Sequence, residues 1–238
     1  MMISNGWMDR SSFKGEVATK ASTFIGADGV AAQRTRAAHV VKWLFDFIFA
    51  LILTVLLMPL LFVIACFVMS DGGPIFFVHY RVGKNGQRFG CFKFRTMVVD
   101  ADRVLAATLA SDPEALAEWT TRRKLVKDPR VTQIGRFLRR SSLDELPQLI
   151  NVLRCDMSIV GPRPIVKEEV GKYGEDIQYY YKVRPGITGL WQVNGRSRTT
   201  FAERVLIDKK YVRDWNLYHD LVILSKTVPV LLTRRGAY

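Results

Sequence analysis

The chain has 238 residues, enough to bury a sizeable core as one domain or two small ones. Lys and Arg number 35 against 22 Asp and Glu, and the resulting net charge of +13 calls for an anionic partner: nucleic acid, an anionic membrane surface or a phosphorylated substrate. Cys66, Cys91 and Cys155 show no paired spacing and His39, His79 and His219 are equally scattered, which argues against a disulfide framework or a Cys- or His-based metal site and fits a reducing cytosolic setting.

Residues 1–36 mix Ser, Gly, Ala and both signs of charge without periodicity and read as a flexible leader that lacks the apolar core and cleavage site of a signal peptide. The next stretch, Trp43 to Met69, carries one charged side chain, Asp46, and is long enough for a membrane helix. Pro59 interrupts its middle and invites a kink. Arg34, Arg36 and Lys42 precede the stretch and Arg81, Lys84 and Arg88 follow it, so the positive-inside rule gives no direction. These residues leave open both a full span and a bent hairpin that returns to the same face. Asp46 lies four residues after Lys42, within reach of an ion pair.

Residues 75–94 alternate as two strands around Asn85-Gly86, the signature of a β-hairpin. Lys93 and Arg95 close it, positioned to reach an anion or to stay solvated. Ser111-Asp112-Pro113-Glu114 opens a helix with Leu116 and Trp119 inward, and a shorter helix around Ile134, Phe137 and Leu138 follows.

Ser142 and Glu145 then have capping-box spacing before the apolar set Leu146, Leu149, Ile150 and Leu153, which places Asp144 and Glu145 in a first helical turn. The positive end of that helix and Arg136, Arg139 and Arg140 upstream favour both acids in their charged form. An ionised Asp beside cations suits a nucleophile or metal ligand for phosphate chemistry; the same acids would also serve as a plain helix cap. Gly161-Pro162-Arg163-Pro164 is a rigid extended turn, because each proline fixes its own backbone and restricts its predecessor. Its guanidinium suits bidentate phosphate binding, or stays solvated.

Residues 168–182 read as a tyrosine-rich helix and residues 184–197 as a loop, by their Pro-Gly, Thr-Gly and Asn-Gly pairs. Arg184, Gln192 and Arg196 there are candidate substrate contacts, as is Trp191. Residues 200–214 form an amphipathic helix, and residues 217–232 a helix suited to a membrane interface or a core.

The apolar segment broken by proline, KFRTM, SSLDELPQLINVL with DMSIVGPRP, and VRPGITGLWQVNGRS occur in that order, and together they resemble the bacterial sugar transferase family, the monotopic phosphoglycosyl transferases that start exopolysaccharide or glycoconjugate assembly. The resemblance implies an α+β, mostly helical protein. A re-entrant membrane helix-break-helix over residues 37–71, broken at Pro59, would precede a compact cytosolic catalytic domain over residues 72–238, with its small β-hairpin and amphipathic interfacial helices.

The implied reaction moves a sugar-1-phosphate, of galactose or glucose, from a UDP-sugar to undecaprenyl phosphate at the cytoplasmic face of the bacterial inner membrane, releasing UMP. Asp144 would attack the sugar-bearing phosphorus to give a covalent intermediate and Glu145 would hold Mg²⁺. Arg163 between Pro162 and Pro164 would bind the nucleotide or its phosphates, with Lys93 and Arg95 as weaker phosphate contacts. Anionic membrane lipids are expected partners, a homodimer is open, and no nucleic-acid motif is present.

One departure stands out. The family usually has Gly where this chain has Cys155, and a left-handed backbone there would cost a cysteine roughly 1–2 kcal/mol. A membrane-tethered binding or scaffold protein with a basic face is the competing class. A glycosidase is disfavoured, because neighbouring residues on a helix diverge and do not easily flank one bond.

Overall fold

The computed structural model describes residues 36–194 and 199–232. The expected leader, apart from Arg36, lies outside these residues, as does Arg196.

Helix α1 (Arg36–Met69) is continuous in secondary structure, with Pro59 inside it. Proline removes one backbone donor. The neighbouring turns hold the helix because Ala50, Leu53, Leu57, Leu61, Ile64 and Val68 form one stripe that packs on the rest of the protein on both sides of the proline. The opposite face leaves Ile52, Leu56, Phe62, Val63 and Phe67 exposed. Among the described residues this is the one helix long and apolar enough to cross a membrane.

Strands β1 (Phe76–Val82) and β2 (Arg88–Phe94) pair antiparallel from Phe76↔Phe94 to Val82↔Arg88. The turn between them puts Asn85 at φ 58 and Gly86 at φ 74, the left-handed backbone that Asn-Gly supplies at low cost. Helices α2 (Ala101–Ser111) and α3 (Pro113–Arg122) follow, and the Asp112 carboxylate caps α3 by accepting from the Glu114 and Ala115 amides. Leu116 is exposed and not inward as its spacing suggests, since α3 buries none of its residues; Trp119 is half-buried under the Arg130 guanidinium.

After α4 (Gln133–Ser141) and α5 (Gln148–Leu153), β3 (Ser158–Val160) pairs parallel with β4 (Gly186–Thr188). Residues 184–194 are therefore not a loop: β4 is followed by α8 (Leu190–Asn194). Strands of three residues carry too short a pattern to read, and their hydrogen bonds come from distant sequence. The expected helix over residues 168–182 is broken into α6 (Lys167–Val170), a 3₁₀ segment in which Gly174 has φ 55, and α7 (Ile177–Tyr181).

Helix α9 (Phe201–Arg213) starts at a capping box in which Thr200 and Glu203 bond each other's backbone amides. Helix α10 (Leu217–Leu232) turns Asp220 and Ile223 into the core and leaves Tyr218, Leu221 and Val228 exposed, so it has both of the characters its sequence allows. The main core gathers Ala50 of α1, Leu149 and Val152 of α5, Ile159 of β3, Leu190 of α8, Tyr211 of α9 and Ile223 of α10.

Candidate active site around Asp144 and Glu145

The acidic pair does not sit in the first turn of an α-helix. Ser142 is left-handed at φ 57 and its side chain caps nothing; Leu143–Glu145 form a 3₁₀ turn, and α5 begins only after Pro147. The capping-box reading fails because Ser142 instead ends α4, its amide bonding the Leu138 and Arg139 carbonyls.

This turn packs under the hairpin. Asn151 of α5, fully buried, accepts from the Phe92 amide at 2.9 Å and donates to the Gly90 carbonyl at 2.7 Å, which fixes β2 against the segment that carries the acids. Lys93 of β2 consequently reaches Glu145, with Nζ 2.6 Å from Oε1.

The two acids are electrostatically unlike. Burial pushes the Asp144 carboxyl up to about 6; Lys93 and Arg139 oppose this and the Glu145 charge adds to it. Burial thus works against the ionisation that the sequence reading favours at Asp144. Burial also acts against the Glu145 charge, but Lys93, through its field and its hydrogen bond, together with Arg163 and Arg81, holds that carboxyl below its ordinary value. A neighbouring pair with one basic and one firmly ionised carboxylate can divide the roles of nucleophile and cation holder.

Arg163 is held by the turn around it. Pro162 accepts from the Gly186 amide at 2.8 Å, and a Cβ on Gly186 would lie 2.1 Å from the Gly161 nitrogen, so the backbones of the GPRP turn and β4 touch directly. The Arg163 guanidinium lies 5.8 Å from the Trp191 ring centroid, and its charge acts on Glu145. Mg²⁺ is typically bound by one or two carboxylates plus substrate phosphates. Glu145, held ionised by Lys93 and the neighbouring arginines, is a carboxylate of that kind; no group of three metal-ligating side chains occurs among the described residues.

Other candidates are elsewhere. Arg95 holds the end of α1: Nε donates to the Pro74 carbonyl at 2.7 Å, Nη2 to the Val68 carbonyl at 2.7 Å, and the fork also pairs with Asp71. Arg184 lines a cavity bounded by α1, and Gln192 donates to the Ile187 carbonyl at 3.2 Å.

Residues 37–234 match the family described as bacterial sugar transferase. The chain belongs to that family. This sugar transferase is 50% identical over 195 residues to the exopolysaccharide production protein ExoY of Sinorhizobium fredii, covering 82% of this chain and 86% of that one. It is 48% identical over 203 residues to the undecaprenyl-phosphate galactose phosphotransferase of Salmonella typhimurium, covering 85% of this chain and 43% of that protein. It is also 42% identical over 209 residues to the UDP-glucose:undecaprenyl-phosphate glucose-1-phosphate transferase of Xanthomonas campestris pv. campestris, covering 84% of this chain and 40% of that one. The transferase thus spans less than half the length of the last two.

Sequence reasoning missed Arg81 and Arg204 of this sugar transferase. Arg81 is brought beside Arg163 and Glu145 by β1; only its place on a strand facing Lys93 could have marked it. Arg204 of α9 is buried against the Trp191 ring, 4.9 Å from its centroid, with its Nε and Nη2 lacking hydrogen-bond partners and Asp208 and Glu169 3.8 and 3.9 Å away. A basic residue on the inner face of an amphipathic helix was the available signal.

Proposed function

We propose that the protein transfers a sugar-1-phosphate, of galactose or glucose, from a UDP-sugar to undecaprenyl phosphate, as an early membrane step of exopolysaccharide assembly. The observation that carries this reading is the Asp144–Glu145 pair beneath Lys93, with Arg139 acting on Asp144 and Arg163 and Arg81 acting on Glu145. The printed names of the similar proteins support the substrate class.

In the proposed first step an Asp144 oxygen forms a bond to the sugar-bearing phosphorus, and the bond from that phosphorus to the bridging oxygen breaks; the electron pair leaves with UMP. In the second, a phosphate oxygen of undecaprenyl phosphate attacks the aspartyl phosphosugar and the Asp144 carboxylate is released. One pyrophosphate replaces another, so no external energy source is needed. A carboxylate made more basic by burial is a better nucleophile than a solvated one and is still mostly ionised at pH 7. Glu145 would hold Mg²⁺, which would supply charge neutralisation for the phosphates. Arg163, Arg81 and Lys93 orient the diphosphate and offset its charge.

Both ends of α1 grip the same globular body, Asp46 through Ser158 and the Ile159 amide, and Val68 and Asp71 through Arg95. A helix leaving through a bilayer would keep only one end there. This supports a monotopic protein with its exposed apolar face in the lipid, and the cytoplasmic face is part of the proposed reading.

The test is UMP release by detergent-held protein given UDP-galactose or UDP-glucose, Mg²⁺ and undecaprenyl phosphate. Exchange of labelled UMP into UDP-sugar without the lipid, lost in Asp144→Asn, is the expected mark of a covalent intermediate. Folded protein that releases UMP equally well as Asp144→Asn would overturn the mechanism.

A further inference from the structure

A second cationic site lies at the start of α1, away from the acidic pair. It is a cavity of about 100 Å³ lined by His39, Lys42 and Trp43 of α1, by Lys84 in the hairpin turn, and by Lys182 and Arg184 between α7 and β4, with Trp215 in its wall. The volume is below the roughly 300–1,000 Å³ of pockets that enclose a cofactor-sized ligand, and it suits a small head group.

The charge there is not balanced. Asp46 is the carboxylate in the lining, and it is already bonded to Lys42, the Ser158 hydroxyl and the Ile159 amide. Among the described residues, no carboxylate pairs with Lys84, Lys182 or Arg184. Three elements therefore set excess positive charge around one cavity, with Lys84 and Lys182 exposed at its edge and Lys182 Nζ 4.9 Å from the Tyr179 ring centroid, a configuration that favours an anion.

The surroundings identify the anion's carrier. Val40, Val41 and Leu44, on the turns that supply the lining, are exposed apolar side chains, and Trp43 stands among them. Tryptophan beside lysine at the end of an apolar helix is the pattern of a membrane–water boundary. A ligand with a phosphate in the cavity and hydrocarbon along α1 fills both halves of this arrangement.

We propose that the cavity binds the phosphate of an anionic membrane phospholipid, holding the protein at the depth at which Asp144 meets the membrane surface. The inference goes beyond the transferase reaction and does not depend on the chemistry of Asp144. It is tested on the full chain in detergent micelles, by thermal unfolding against added phosphatidylglycerol or phosphatidylcholine, with separate arms of inorganic phosphate and undecaprenyl phosphate. The variants are Lys84→Gln/Lys182→Gln and a charge-matched control, Lys124→Gln/Lys127→Gln, whose lysines are exposed and distant in sequence.

Phosphatidylglycerol stabilises the wild type and phosphatidylcholine does not. The half-saturating phosphatidylglycerol rises about 25-fold in the cavity variant and less than threefold in the control. Equal stabilisation by the two phospholipids, or equal losses in the two variants, would overturn the proposal in favour of diffuse charge. Stabilisation by millimolar inorganic phosphate alone would make this a free-anion site. Stabilisation by undecaprenyl phosphate but not phosphatidylglycerol would make it an acceptor site, and either result removes the phospholipid assignment.

Discussion

Replacing Lys42 with Met tests how α1 is attached to the body. The Lys42 Nζ lies 2.9 Å from Asp46 Oδ1 and 2.9 Å from Asp220 Oδ2, and the two carboxylates are 3% and 0% exposed. Asp220 also accepts from the Tyr211 hydroxyl and the Trp215 indole, each at 2.9 Å. Removing the ammonium leaves two buried carboxylates without the cation they share. Taking away one partner of a buried pair costs about 3–5 kcal/mol, and in a domain of this size each kcal/mol moves the melting temperature by about 2–4 °C. Lys42→Met is expected to lower the midpoint by roughly 6–20 °C in scanning fluorimetry of the micellar protein.

The pH dependence has a definite sign. Burial already holds the Asp220 carboxyl above its ordinary value against the pull of Lys42, and losing Lys42 raises it further. A raised folded-state pKa contributes stability that is present below the unfolded value and lost as pH rises. The deficit of Lys42→Met should therefore be widest above pH 7 and narrow toward pH 4. Asp220→Asn in the same chain should recover part of it, because one bare charge is gone. A drop below about 3 °C, or a double variant as unstable as the sum of the singles, would refute the reasoning.

Three further outcomes follow from the geometry. Asp144, with its carboxyl near pH 6 against roughly 3.9 when unfolded, destabilises the fold by about 2–3 kcal/mol at pH 7.5, so Asp144→Asn should melt higher there and match the wild type below pH 4 in denaturant titrations. Arg95→Lys should lose about 3 kcal/mol of stability while the KM for UDP-sugar stays within twofold, because its fork holds the Val68 and Pro74 carbonyls; a tenfold KM change at unaltered stability would make it a substrate contact. Cys155 has φ 64, and its Sγ accepts from the Trp43 indole at 3.0 Å. Cys155→Gly should gain about 0.5–1 kcal/mol, the relief of left-handed strain less that contact, and an unchanged midpoint would dismiss the strain.

What could be read from the sequence was local. The Asn85-Gly86 turn, the helix opened by Ser111-Asp112-Pro113-Glu114 and the long apolar stretch of α1 each depend on residues near one another in sequence, and each stands in the structure. The acidic pair was legible as a motif, but not its environment. The left-handed Ser142 and the desolvation that separates Asp144 from Glu145 come from packing under β2, which Asn151 enforces across the fold. The β3–β4 pair was hidden because three-residue strands carry almost no pattern, and Arg95 looked free because its acceptors are mainly backbone carbonyls, which no side-chain motif announces.

The Lys42 triad also imposes an order on the chain's birth. Lys42 and Asp46 leave the ribosome together and can pair as soon as the first turns of α1 form, whereas Asp220 belongs to the last described helix to be synthesised. At bacterial elongation rates that interval is roughly ten to forty seconds. Through it the apolar helix carries a neutral internal pair, able to settle at a membrane surface with no buried charge exposed. The arrival of Asp220 then turns a loosely seated helix into a locked one, so the anchor is fastened to the machine only once the segment that carries Asp220 has been made.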